Sequence, residues 1–225
     1  MKVIDLSHTI NSSMSTYTKD EKFEAYDIAS IEKDGYNEKL LRLCTHIGTH
    51  IDAPSHMINK GKTIDEFNIN DFIGIAIIID VSNLKKIDIN DLISYKEKIN
   101  NCDFVILKTG WDKYWGSSSY LKEFPTLTEE AARWLCSFNI RGIGTDTISI
   151  DSFDSIDFEV HNTILSRGRI IIENLTNLDE VIESEFTLVA TPLKIENGDA
   201  SPIRAIAITN GNSDRTLYKN IELLI

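Results

Sequence analysis

Three of the chain's five histidines and an aspartate stand in one eleven-residue run, HIGTHIDAPSH, from His46 to His56. Imidazole nitrogens and carboxylate oxygens are donors that divalent metals prefer, so the run demands a fold that gathers these side chains. In an extended chain every second side chain points to the same face. His46, His50, Asp52 and His56 therefore start on one side, while Ile47, Ile51 and Ala53 can pack on the other. A straight strand of this length would cover about 33 Å, far too long for a cluster whose metal bonds are about 2 Å each. The chain must bend, and Gly48, with its wide φ range, and Pro54, with its fixed φ and missing donor, are the places for it. His50 and Asp52 can share a metal without help; His46 joins through the bend at Gly48.

The His-x3-His spacing also occurs on zinc-binding helices. Here Gly48, Thr49 and Ile51 are poor helix residues, and the general-base glutamate of H-E-x-x-H is missing. Ordinary hydrogen-bonded polar residues on a buried loop are the competing reading, and it weakens with each added donor. Further on, the pattern from Phe158 to Arg167 is helical, with Phe158, His161 and Leu165 on one apolar stripe and Gly168 suited to a C-terminal cap. His161 therefore points inward. Glu173 ends the apolar run Ile170-Ile171-Ile172, and a carboxylate there needs a partner because an isolated buried charge is very costly. A cation, Arg167 or Arg169 can supply it.

At 225 residues the chain can bury about 70% or more of its unfolded surface in one core, and no Pro-, Gly- or Ser-rich linker divides it. A single domain over residues 1–225 is expected. The net charge of -12 leaves no electrostatic footprint for nucleic acid or anionic lipid, and Lys85, Lys86, Lys96 and Lys98 read as solvated surface. No apolar run reaches signal-peptide or transmembrane length, so a cytoplasmic protein is expected. Cys44, Cys102 and Cys136 are odd in number and widely spaced, which argues for reduced, mostly buried thiols over a disulfide framework or a Cys-x-x-Cys zinc module. Cys44, two before His46, either packs or faces the metal.

Strands are expected over Ile73 to Val81, Phe104 to Thr109, Ile140 to Asp146, Ile170 to Glu173, Phe186 to Pro192 and Ile203 to Thr209, each bounded by turn residues. The near-continuous apolar runs IGIAIIIDV and DFVILKTG suit strands covered on both faces. Ile89 to Ile99 can form a short amphipathic helix. Thr128 to Phe138 is a stronger one, with Thr128 as N-cap, two glutamates in the first turn and Ala131, Trp134, Leu135 and Phe138 on one core-facing stripe. The class is α/β.

The run resembles the signature H-x-G-T-H-x-D-x-P-x-H of the cyclase family of metal-dependent hydrolases, which includes bacterial kynurenine formamidases. Further motifs follow in register: IDLSHTI at the start, TGWDKYW at 109–115, GTDTISID at 144–151, HNTILSRGRIIIENLTNL at 161–178 and PLKIENGDASPIRAIA at 192–207. The resemblance implies the swivelling β/β/α architecture, with mixed sheets and few helices. It implies that His46, His50 and Asp52 bind a first divalent metal, with Asp52 bridging to a second held by His161 and Glu173, and that His56 is the catalytic acid/base. One or two ions per chain are implied, zinc first and manganese as the alternative. The implied reaction is hydrolysis of a small-molecule amide: N-formylkynurenine to kynurenine and formate, a step of tryptophan catabolism, or else another cyclic or open-chain amide, as in isatin hydrolase. A metal-binding protein without turnover is the reading from a different class. The implied assembly is a homodimer or homotetramer. Family members carry a segment like M-P-V-[WY]-P-G-D that sets an aromatic residue against the substrate's ring. This chain has MSTYTKD there, with Tyr17 at the aromatic, substrate-binding position and both loop-stiffening prolines replaced.

Overall fold

The computed structural model describes residues 1–209. In chain order the strands are β1 (Lys2–Asp5), β2 (Glu24–Ala29), β3 (Glu38–Arg42), β4 (His50–Asp52), β5 (Ile73–Asp80), β6 (Lys86–Ile87), β7 (Phe104–Lys108), β8 (Thr126–Leu127), β9 (Gly142–Thr145), β10 (Ile170–Glu173), β11 (Phe186–Val189), β12 (Ala200–Pro202) and β13 (Ile206–Thr209). The helices are short: α1 (Ile31–Asp34), α2 (Ile89–Leu92), α3 (Lys96–Ile99), α4 (Glu129–Leu135) and α5 (Glu159–Leu165). Nine strands form one mixed sheet in the order β1-β13-β11-β5-β7-β9-β10-β4-β12. Its centre, β5-β7-β9-β10, is parallel, and every pairing outside that centre is antiparallel. This is the expected α/β class with a mixed sheet and few helices.

Both faces of the central strands are covered, as their continuous apolar runs require. On one face Ile77, Ile79, Val105, Leu107, Ile143 and Ile171 pack against the helical layer through Leu92, Ile99, Leu135 and Ile164. The other face gathers Ile4 of β1, Ile51 of β4, Phe104, Ile106 and Ile172 into one cluster. Strands β1 and β4 lie seven places apart in the sheet, so sharing a cluster requires the sheet to curl over its own side chains.

Local chemistry explains the helices. Thr128 caps α4 by accepting from Ala131 N at 3.1 Å, with Glu129 and Glu130 in the first turn. The helix expected from Phe158 to Arg167 is shorter, Glu159–Leu165 with Ser166 as its C-cap, and Gly168 at φ 71° ends the turn that follows, its N–H bonding Leu165 O. Other expectations need correction too, among them the strand expected from Ile203 to Thr209, which begins only at Ile206. Ile89 to Ile99 is not one helix: a 3-10 turn at Ile93–Tyr95 separates α2 from α3. The strand expected from Phe186 to Pro192 ends at Val189: Ala190 N still meets Phe72 O in register with β5, but Pro192 has no N–H to donate and joins Ile203 only as an isolated bridge. Cys44 is exposed, whereas Cys102 and Cys136 are buried; it packs against nothing that hides it.

Among the described residues no helix is long and apolar enough to cross a membrane. Among the described residues strands β2 and β3 pair only with each other. They form an arm whose residues are mostly exposed.

Candidate metal centre

The register of β4 with β10 builds the site. His50 lies directly opposite Glu173, and Asp52 opposite Ile171. Alternation then sends Ile51 and Ile172 into the curled face, while His50, Asp52 and Glu173 share the helical side with Ile171. Before β4, Gly48 turns the chain at φ 65°, a left-handed conformation that disfavours a side chain, and carries His46 back to the group. After β4, Pro54 opens a 3-10 turn ending at His56. Helix α5 supplies His161 from above the sheet. Both bends stand where the sequence required them.

The donors converge. His46 Nδ1 lies 2.8 Å and His50 Nε2 3.3 Å from Asp52 Oδ1, and His161 Nε2 lies 3.7 Å from Asp52 Oδ2. Glu173 faces the same imidazoles, with Oε1 3.3 Å from His161 Nε2 and Oε2 3.5 Å from His50 Nε2. Donor atoms of His46, His50 and Asp52, and of Asp52, His56 and His161, fall within 4.8 Å of one another. Asp52 is 0% exposed, yet neither of its oxygens accepts a hydrogen bond of acceptable geometry. A buried carboxylate without hydrogen bonds is expensive, and three nitrogens aimed at it obliquely leave room for a shared cation. The residues therefore fit a divalent ion: His46, His50 and Asp52 could hold one, and Asp52 with His161 a second, where His56 falls in the same group and Glu173 faces His161.

Outer partners fix the rings. His161 Nδ1 meets Asp151 Oδ2 at 2.7 Å, His46 Nε2 meets Asp199 Oδ2 at 2.9 Å, and His50 Nδ1 meets the Gly48 carbonyl at 3.0 Å. Each candidate ligand thus has one nitrogen held from behind and the other turned inward, an arrangement that selects tautomer and orientation. Asp151 and Asp199 stand within GTDTISID and PLKIENGDASPIRAIA, but nothing in their spacing marked them as partners of histidine. Glu173 finds Ile150 N at 2.9 Å rather than an arginine. Arg167 donates to Thr163 O and Arg169 to Phe138 O, so the cation Glu173 lacks is not supplied by either.

Electrostatics divides the histidines. Burial would lower the His46 pKa, but the charge of Asp52 and the hydrogen bond to Asp199 outweigh it and raise it to about 10. His50 and His161 are also raised: burial opposes the charge, and Asp52, Glu173 and Asp151 overcome it. The opposite holds at His56, which burial, with the neighbouring His46 and His161, brings down to about 4 despite Asp52. The His56 ring lies tilted against that of His46, 4.0 Å between centroids, and its lowered pKa leaves it neutral at neutral pH. Tyr17 is half-buried, its ring 5.0 Å from that of Phe153. Burial raises the Tyr17 pKa, and so do the charges of Glu173 and Asp151, which puts the phenol within electrostatic reach of the donors.

Known proteins share this arrangement of chain. The family described as "Putative cyclase" matches residues 4–152. A kynurenine formamidase of Bacillus cereus is 33% identical over 205 residues, covering 90% of this chain and 95% of its own. The structure of a predicted metal-dependent hydrolase from Bacillus stearothermophilus superposes with a TM-score of 0.77 at 31% identity, covering 92% of this chain and 97% of that one. Isatin hydrolase A from Labrenzia aggregata gives a TM-score of 0.81 at 26% identity, covering 92% and 93%. With the profile matching well over half the chain and one-third identity along nearly all of it, this protein belongs to the cyclase family.

Proposed function

We propose that the chain is a metal-dependent amide hydrolase of the arylformamidase kind, releasing formate from N-formylkynurenine or a closely similar aryl formamide. The observation that carries this reading is the convergence of His46, His50, Asp52, His161 and Glu173, with Asp52 facing both halves of the group. A mixed imidazole and carboxylate set suits zinc, with manganese as the alternative, and we assign one or two ions per chain. When bound, such an ion acidifies water and polarises a carbonyl oxygen.

The chain's own residues supply the rest. Asp52 and Glu173 offset positive charge, and Asp151 and Asp199 hold the rings that face it. His56, neutral and beside Asp52 and His161, accepts a proton from the attacking water and delivers it to the amine nitrogen as the C–N bond breaks. Formate and a free amine leave. Tyr17, beside Phe153, offers an aromatic face to the aryl ring. Hydrolysis of a cyclic aryl amide is the second reading, favoured by the likeness to isatin hydrolase A and by the altered MSTYTKD loop.

We further assign a homodimer or homotetramer in the cytoplasm. The β2–β3 arm supports the assembly: Tyr26, Ile28, Ile31, Tyr36, Leu40 and Leu41 are each at least 50% exposed on it. An isolated two-stranded ribbon is marginally stable in water, so a second copy lying on these side chains accounts for them. The free thiols suit a reducing compartment. The deciding experiment assays turnover of N-formylkynurenine, other formanilides, isatin and lactones before and after chelation. Chelator-sensitive release of formate from aryl formamides is expected. Hydrolysis of isatin alone would select the second reading, and no turnover by metal-loaded protein would refute both.

A further inference from the structure

We infer that Asn174 is a positioning residue that locks His50 and Glu173 into one site, with Tyr120 as its anchor; the inference rests on the metal-centre reading above. Asn174 follows Glu173 at the end of β10 and is 1% exposed. Its Nδ2 donates to the Gly48 carbonyl at 2.8 Å, the same oxygen that His50 Nδ1 meets at 3.0 Å. Nδ2 also stands 3.5 Å from His50 Nδ1 itself. Two donors on one carbonyl fix both the turn at Gly48 and the ring that leans on it, so His50 Nε2 is held toward Asp52 and Glu173.

The backbone of Asn174 is as tightly tied as its side chain. Its carbonyl accepts from Thr49 Oγ1 at 2.6 Å, and its N–H donates to Thr147 O at 3.0 Å. Side chain and carbonyl thus tie the end of β10 to the 48–50 turn, while the N–H ties it to the loop after β9. The residue sits at φ 59°, a left-handed conformation that asparagine tolerates better than most non-glycine residues. An aspartate there would set a carboxylate oxygen against the Gly48 carbonyl.

Tyr120 completes the device. It is 0% exposed, and its hydroxyl lies 2.8 Å from Asn174 Oδ1 and 3.1 Å from Asp146 O, sharing one proton between them. That contact orients the amide so that Nδ2 faces Gly48. Asn174 meets the donor cluster at the outer nitrogen of His50, and Tyr120 meets Asn174, so both act through that ring.

The test measures metal affinity. Asn174→Gly keeps the left-handed backbone without strain and removes only the side chain. Competition with a chromophoric chelator for Zn²⁺ and Co²⁺ should show affinity falling by about 10- to 100-fold, the usual loss for an outer partner of a ligand. Bound Co²⁺ should show altered visible absorption. Asn174→Asp should lose at least as much, and Tyr120→Phe should move in the same direction by less, with no further loss when combined with Asn174→Gly. A role confined to folding would lower the melting temperature while leaving Co²⁺ affinity and spectrum as in the parent. A loss of less than tenfold in Asn174→Gly overturns the inference, and if that variant does not fold, an unchanged Co²⁺ spectrum and affinity in Tyr120→Phe does so. Parent protein that binds neither ion would instead sink the metal-centre reading.

Discussion

Replacing Asp151 by asparagine tests how the site is held together. Asp151 is buried beside the start of α5, whose own N-cap, Phe158, makes no side-chain cap bond. Its carboxylate takes that place: Oδ1 accepts from Val160 N at 3.1 Å, and Oδ2 accepts from His161 N at 2.9 Å and His161 Nδ1 at 2.7 Å. An amide keeps an oxygen on one side only. It abandons either the Val160 N–H or both His161 donors, and whatever it keeps is no longer charge-assisted. A stranded buried donor costs about 1–3 kcal/mol, and a hydrogen bond to a charged group is worth about 1.5–3 kcal/mol, so Asp151→Asn should destabilise metal-free protein by about 2–4 kcal/mol. For a chain of this size that lowers the melting temperature by about 4–16 °C. Metal affinity should fall by about 10- to 100-fold, since His161 loses its orienting carboxylate. The pH dependence has a definite sign. Burial alone would raise the Asp151 pKa, but the hydrogen bond and charge of His161 and the Val160 and His161 amides bring it below its ordinary value. A depressed carboxylate contributes its stability above about pH 4 and loses it as pH falls through the folded value. Circular dichroism melts from pH 7 down to pH 2 should therefore show a shallower acid limb in the variant. Asp151→Asn protein that melts within about 2 °C of the parent and holds metal equally well would refute this account of the site.

Other perturbations separate the remaining roles. Glu173→Gln should empty mainly the ion shared by Asp52, His161 and Glu173; retention of full metal content and turnover would rule out the two-ion assignment. His56→Ala should keep metal and fold but lower kcat by about 10²- to 10⁴-fold, whereas loss of metal in that variant would make His56 a ligand. Tyr17→Ala should remove a ring contact worth about 0.5–1.5 kcal/mol and raise KM several-fold for aryl but not aliphatic formamides; equal effects on both would reduce Tyr17 to packing. Leu40→Asp combined with Leu41→Asp should convert the proposed homodimer or homotetramer to monomer in light scattering, and an unchanged mass would detach the arm from assembly.

Much of the site was legible because its logic is local. Alternation along an extended chain puts His50 and Asp52 on one face wherever the strand lies, and only glycine and proline could bend so short a run back on itself. Helical periodicity likewise turned His161 inward with Leu165, although Phe158, expected on the same stripe, is the left-handed residue before α5, and the apolar run before Glu173 announced a buried charge needing a partner. The broken helix at Ile93–Tyr95 and the early end of β11 were not legible, because each depends on which carbonyl a particular N–H finds in three dimensions.

The sequence by itself determined the donor types, the bends at Gly48 and Pro54, and the mixed α/β class, since all follow from residue chemistry and short-range periodicity. Tertiary structure alone decided which donors meet. The antiparallel register that sets His50 opposite Glu173, and the contacts that bring Asp199 to His46 across 153 residues and Asn174 to Gly48 across 126, depend on how the sheet curls and pairs. A hydrogen bond between residues so far apart leaves no period in the chain to read; it exists only once the hydrophobic faces on either side of it have closed.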